Sequence, residues 1–149
     1  IFVAAFSRSD LGRMLAIEGG SLLRASGLGA TPLMLAFIVL IAFLNLFVGS
    51  MSAKWTMLAP IFVPMLYFVN PAMTPDLVAA AYRVADSSTN IITPMMTYAG
   101  VILAFMRKYR PDMAFGDMLL IMLPYSIAFL FVWTALLVGF FTLGIPLGF

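Results

Sequence analysis

Two short polar stretches hold the residues best suited to chemistry in this 149-residue chain. The first is GSMSAK at 49–54, followed at once by Trp55; the second is DSSTN at 86–90, with Arg83 just ahead of it. Asp86 is suited to binding a cation or a proton, and Arg83 to attracting a carboxylate. Ser50, Ser52, Ser87, Ser88, Thr89 and Asn90 add neutral oxygens of the kind that coordinate Na⁺. Arg83 and Asp86 stand three residues apart, so on a helix they share a face and can pair. Blander readings stay open beside these. The pair can be purely structural, Trp55 can be an interfacial anchor, and GSMSAK can be a plain loop whose Lys54 snorkels to lipid headgroups.

The elements that position these stretches are apolar. Hydrophobic residues make up 64% of the chain and charged residues only 9%, against roughly a quarter charged in a soluble domain. Residues 25–53, 55–75, 87–106 and 118–149 contain no Asp, Glu, Lys or Arg, and about 20 apolar residues suffice to cross a bilayer as a helix. The expected fold is therefore all-α and integral to a membrane. Residues 1–6 read as the end of a helix already under way, and 7–12 (SRSDLG) as its polar exit. Residues 13–27, with Glu18, Arg24 and the Gly19–Gly20 pair, suggest a short or broken interfacial helix. Thr31 and Pro32 open an apolar helix to about Val48.

A second apolar stretch, 55–69, spans only about 22 Å at helical rise. That length fits a re-entrant hairpin with a mid-membrane tip better than a plain crossing. After the turn at 70–75, PDLVAAAYRVAD and the apolar run 91–106 are each too short to cross alone. Together they predict one broken transmembrane helix over 75–107, unwound at 86–90. Irregular backbone at that depth survives only when buried in protein or lining a wet cavity, the arrangement by which transporters coordinate ions. A last helix is predicted over 115–143. The basic cluster Arg107, Lys108 and Arg110 places 107–114 on the cytoplasmic side.

Several classes are excluded. Histidine and cysteine are absent, which removes His proton relays, disulfides and thiolate metal sites. The net charge of +2 is too small and dispersed for nucleic-acid binding. Intramembrane serine proteolysis with a His base is impossible, only Asp86 qualifies for an aspartyl dyad, and Ser50 and Lys54 lack Ser-x-x-Lys spacing. No phosphate-cradling Gly-rich loop is present, so no ATP use is expected. The chain is expected to be no enzyme and to need no cofactor beyond Na⁺ or H⁺ as coupling ion. The twelve Met residues read as helix packing, and Pro60, Pro64, Pro94 and Pro124 as kinks. A non-transporting membrane scaffold subunit, a channel and a carrier of another small organic anion are the alternatives. Lacking an initiator Met, the chain is expected to be a piece of a longer protein.

NLFVGSMSAKWTMLAPIFVP (45–64) and AAYRVADSSTNIITPMM (80–96) closely resemble the two most characteristic stretches of the AbgT family of p-aminobenzoyl-glutamate transporters. SRSDLG is similar to that family's Ser-Asn-Leu-Gly region, and MLPYSIAFLFVWTALL (122–137) looks like its last helix. The resemblance covers essentially the whole chain and implies its C-terminal half. It implies a dimeric, multi-pass secondary transporter of the bacterial inner membrane, with inverted repeats, re-entrant hairpins and broken helices. It also implies the bounds of the hairpin in this chain, 31–69 with the tip at 49–54. It also implies ion-coupled (H⁺ or Na⁺) movement of p-aminobenzoyl-glutamate or related aromatic carboxylates and antimetabolites such as sulfonamides. The family's substrate positions match Ser52, Trp55, Pro75 and Arg83, with Asn45 as its hairpin asparagine. Asp86, Ser87, Ser88, Asn90 and Ser50 fall to the ion. Three departures stand out: Asp10 replaces Asn, the turn before Pro75 is about two residues longer, and the N-terminal half with its partner hairpin is missing.

Overall fold

The computed structural model describes residues 11–25, 27–47, 50–94 and 98–146. All regular structure among them is helical: α1 (Leu11–Ala25), α2 (Ala30–Asn45), α3 (Met51–Val69), α4 (Pro75–Thr89), a 3₁₀ turn (Asn90–Ile92), α5 (Ala99–Arg107) and α6 (Phe115–Leu143). The expected helix end at 1–6, the polar residues 7–10, Gly49 at the expected tip, and Met95 to Thr97 lie outside the described residues.

Helix α4 organises the bundle. Thr74 caps it, its hydroxyl accepting from the Leu77 amide at 3.4 Å, and Pro75 takes the first turn, where no amide partner is needed. Asp76 sits in that same turn, favourably placed at the positive end of the helix. Its inward face runs Leu77, Val78, Ala81, Tyr82, Ala85, Asp86, Ser88 and Thr89, all buried. The alanines let neighbours approach closely, and α2, α3 and α6 all pack on α4. Helix α2 contributes Leu33, Met34, Phe37, Ile38 and Ile41 to the same core, while Phe37 meets Phe62 of α3 with ring centroids 5.4 Å apart.

Among the described residues two helices are long and apolar enough to cross a bilayer: Met51–Val69 with mean hydropathy 1.3, and Phe115–Leu143 with 2.2. The face of α6 that turns away from the bundle exposes Phe129, Phe131, Val132, Trp133 and Leu136. In water such a stripe would be costly; in hydrocarbon it is the expected outer surface. Helix α6 closes at Gly144, whose φ of 65° is the left-handed geometry that glycine adopts at a C-terminal cap.

The boundaries correct several expectations. Residues 11–25 form one unbroken helix, because the Gly19–Gly20 pair is a packing surface: a Cβ on Gly20 would lie 3.2 Å from Phe68 Cδ1 of α3, and one on Gly19 would lie 2.9 Å from Met65 Sδ. Helix α2 starts at Ala30 with Gly29 as cap, not at Thr31, and ends at Asn45 rather than Val48. The helix after the first polar stretch begins at Met51, capped by Ser50, whose Oγ accepts from Ala53 N at 3.4 Å. Residues 51–54 are thus helical, and α3 is 19 residues long, so its length alone no longer argues for a half-crossing.

Nor does α4 unwind at 86–90. Ser88 and Thr89 turn their hydroxyls back to Val84 O at 2.7 Å and Ala85 O at 2.7 Å, which keeps the helical path intact. The break falls later, at Asn90–Pro94, where the 3₁₀ turn ends in extended Thr93 ahead of a proline that disfavours helical geometry in the residue before it. The last helix runs Phe115–Leu143.

Filling the glycine contact tests this packing. Gly20→Leu, forced against Phe68 and the Met65 backbone, should destabilise by about 1–3 kcal/mol and lower the melting temperature of the detergent-solubilised protein. An unchanged melting temperature would mean that the α1–α3 contact contributes no packing energy.

Candidate functional site

The polar stretches meet where the start of α3 lies against the last two turns of α4. Lys54, in the first turn of α3, is 3% exposed, and Asp86 of α4 and Asn45 at the end of α2 are both 0% exposed. Lys54 Nζ forms an ion pair with Asp86 Oδ1 and donates to Asn45 Oδ1. The other carboxylate oxygen, Asp86 Oδ2, accepts from Asn90 Nδ2 at 3.1 Å. Asn45 Nδ2 reaches Thr89 Oγ1 at 2.8 Å, the Asp86 carbonyl at 3.1 Å and Asn90 Oδ1 at 3.2 Å. Thr93 Oγ1 donates to the Asn45 carbonyl at 3.2 Å and the Thr89 carbonyl at 3.0 Å. Three helix ends are thereby stitched together: the C-terminus of α2, the N-terminus of α3 and the C-terminus of α4.

This arrangement satisfies a severe requirement. An isolated charge in a low-dielectric interior is far too costly to keep, so buried charges are paired and hydrogen-bonded. Both conditions are met at Asp86. A further freed carbonyl, that of Ser88, is taken by Ser126 Oγ of α6 at 2.7 Å.

Beside this cluster lies an open cavity of about 240 Å³ lined by Met51, Ser52, Trp55, Thr56, Ala79, Tyr82 and Arg83. Trp55 and Tyr82 form its aromatic wall, their ring centroids 4.7 Å apart and tilted at 45°. Tyr82 also donates its hydroxyl to the Met51 carbonyl at 2.8 Å, holding the first turn of α3 against α4. Arg83 is exposed and has no ion-pair partner among the described residues. A guanidinium beside an aromatic wall is chemically suited to a planar anion.

The expected site residues divide accordingly. Ser52, Trp55 and Arg83 come together at the cavity. Asp86 and Asn90 come together in the buried cluster, and Asn45, expected beside the substrate, joins them there. Pro75 stands at the start of α4, eight residues and about 12 Å from Arg83, and does not line the cavity. Ser50 is exposed and serves as the cap of α3, and Ser87 is exposed on the outer face of α4. Ser88 is buried but spends its hydroxyl on the helix backbone. The anticipated Arg83–Asp86 pair does not form, since Asp86 turns inward to Lys54 while Arg83 stays on the cavity side.

Sequence reasoning passed over Lys54, Thr93 and Ser126. Lys54 had a visible signal: it is the only charge between residues 25 and 75, and such an ion requires a partner of opposite sign. Among the described residues no group of three or more His, Cys, Asp or Glu side chains could hold a metal ion. One carboxylate among amide and hydroxyl oxygens suits a monovalent cation or a proton better than a divalent metal.

Known proteins share this arrangement of helices. Over 147 residues the chain is 36% identical to the p-aminobenzoyl-glutamate transport protein of Escherichia coli strain K12, covering 99% of this chain but 28% of that protein. The crystal structure of the Alcanivorax borkumensis YdaH transporter superposes with a TM-score of 0.88 at 47% identity, over 99% of this chain and 31% of its own. Neisseria gonorrhoeae MtrF, from a class of antimetabolite efflux pumps, gives 0.77 at 46% identity, over 91% of this chain and 26% of its own. The chain thus spans less than a third of the length of each. The family model matches residues 1–149, and the chain belongs to the AbgT family of transporters.

Proposed function

We propose that the protein containing this chain is a secondary transporter that couples movement of an aromatic carboxylate to a flow of Na⁺ or H⁺. The substrate class is p-aminobenzoyl-glutamate or a related aromatic acid or antimetabolite, such as a sulfonamide. The observation that supports this most directly is the placement of an open, cationic, aromatic cavity one helical turn from a buried carboxylate cluster. Arg83 lines the one and Asp86 anchors the other, three residues apart on α4. In this reading the substrate carboxylate meets Arg83, its ring lies against Trp55, and Ser52 hydrogen-bonds it. Asp86, Asn45 and Asn90 serve the coupling ion.

The cavity of about 240 Å³ is somewhat below the roughly 300–1,000 Å³ of complete ligand pockets. The rest of the enclosure would come from the part of the protein beyond this chain. The re-entrant hairpin of α2 and α3 belongs to the same proposal. Its support is the burial of the two helix ends that face each other: Asn45 and Lys54 both lie against Asp86. A bacterial inner-membrane location and a homodimer follow the family resemblance. One relative is named for p-aminobenzoyl-glutamate transport and another belongs to a class of antimetabolite efflux pumps, so both directions of flux belong in the assay.

Two experiments test the assignment. In proteoliposomes holding the full-length protein, Arg83→Ala and Trp55→Ala should each slow uptake or efflux of radiolabelled p-aminobenzoyl-glutamate at least tenfold; wild-type flux in both would discard the cavity as the substrate site. Asp86→Asn should abolish flux and also destabilise by about 3–5 kcal/mol, because Lys54 loses its buried partner. Adding Lys54→Met to Asp86→Asn should restore much of the melting temperature while flux stays absent. Recovery of flux together with stability would reduce the pair to a structural role.

A further inference from the structure

The oxygens around Asp86 are unequally committed. Asp86 Oδ2 is held by Asn90, and the Asn45 amide nitrogen is shared among the Asp86 carbonyl, Thr89 and Asn90. All of these partners belong to α4 or its 3₁₀ extension. The two remaining acceptors, Asp86 Oδ1 and Asn45 Oδ1, face each other across one group, the Lys54 ammonium. A carboxylate oxygen and an amide oxygen facing a common point are also what a dehydrated Na⁺ seeks. The position is already taken by a cation that the chain itself carries.

We propose that Lys54 is a tethered competitor for the coupling cation: Na⁺ binds by displacing the ammonium from Asp86 Oδ1 and Asn45 Oδ1. This rests on the transport reading above and extends it to the means of coupling. The exchange leaves one positive charge opposite Asp86 in either state, so the buried carboxylate is never left bare. It also has a consequence for the substrate. Lys54 directly precedes Trp55 on α3, one turn from Met51, and both Trp55 and Met51 line the cavity. A displaced ammonium on that turn adds positive charge beside Arg83, and an anionic substrate gains from it. Cation and substrate then favour one another without touching, which is a coupling free energy between two sites.

The test uses the full-length transporter in detergent, with ²²Na⁺ as the probe and K⁺ keeping ionic strength constant. Lys54→Met removes the competitor at similar length and should tighten Na⁺ binding at least tenfold, while Lys54→Arg keeps the charge and should not tighten it. p-Aminobenzoyl-glutamate should strengthen Na⁺ binding in the wild type and lose that effect in Lys54→Met. Since Lys54→Met leaves Asp86 unpaired, a second measurement avoids substitution. Amine-reactive labelling of wild-type Lys54, read by peptide mass spectrometry, should rise with Na⁺ and not with K⁺. Unchanged or weaker Na⁺ binding in Lys54→Met, no measurable Na⁺ binding in either protein, or Na⁺-independent labelling would each overturn the proposal. Persisting p-aminobenzoyl-glutamate flux in the wild type would show that only the coupling role has fallen, whereas wild-type flux in the Arg83 and Trp55 variants would remove the reading beneath it.

Discussion

A charge pair buried among helices constrains everything around it. Lys54 and Asp86 come from different helices and meet where almost no solvent reaches either. The attraction between them offsets their desolvation only if geometry is held and every remaining lone pair is occupied. Asn90 donates to Asp86 Oδ2 and Asn45 accepts from Lys54, while Thr89 and Thr93 in turn hold the Asn45 amide and carbonyl. The ends of α2 and α4 and the start of α3 are thus set relative to one another by hydrogen bonds at one locus. Apolar packing along α2 and α4 supplies the bulk of the contact, but it is non-directional; the polar knot sets the register.

In the proposed transport reading, labour is divided along α4. Its inward face buries Asp86, and the adjacent face presents Tyr82 and Arg83 to an open cavity. Because one rigid helix bears both, a shift in the polar knot is transmitted to the cavity without any intermediate loop. The Tyr82 hydroxyl, bonded to the Met51 carbonyl, and the Trp55–Tyr82 contact tie α3 to the same turn.

Much of this was legible in the residues. Charge-free tracts announced a membrane protein, Phe115–Leu143 was readable as a helix at both ends, and the two polar stretches that meet were the two that stood out. What the sequence concealed is physical in origin. Hydroxyl-rich DSSTN reads as a breaker, yet Ser88 and Thr89 bond backward to their own helix, and the break moves on to Pro94. An i,i+3 rule pairs Arg83 with Asp86, but a partner 32 residues away wins because Asp86 faces inward. The glycine pair at 19–20 reads as a helix breaker and is instead a flat bed for Met65 and Phe68, a distinction only tertiary contact can make. For Lys54 the headgroups are one open reading, since a lone lysine often goes there, and a single sequence does not show which distant acid will claim it.

Helix α6 packs on α4 and on the 3₁₀ turn that follows it. Most of its surface is apolar and exposed, yet Ser126, midway along it, gives its hydroxyl to the Ser88 carbonyl within the last turn of α4. The helix most bathed in acyl chains is thereby hooked to the backbone two residues past Asp86. Were bilayer thickness to change the tilt of such a helix, this hydrogen bond would carry the change toward the ion-pair locus.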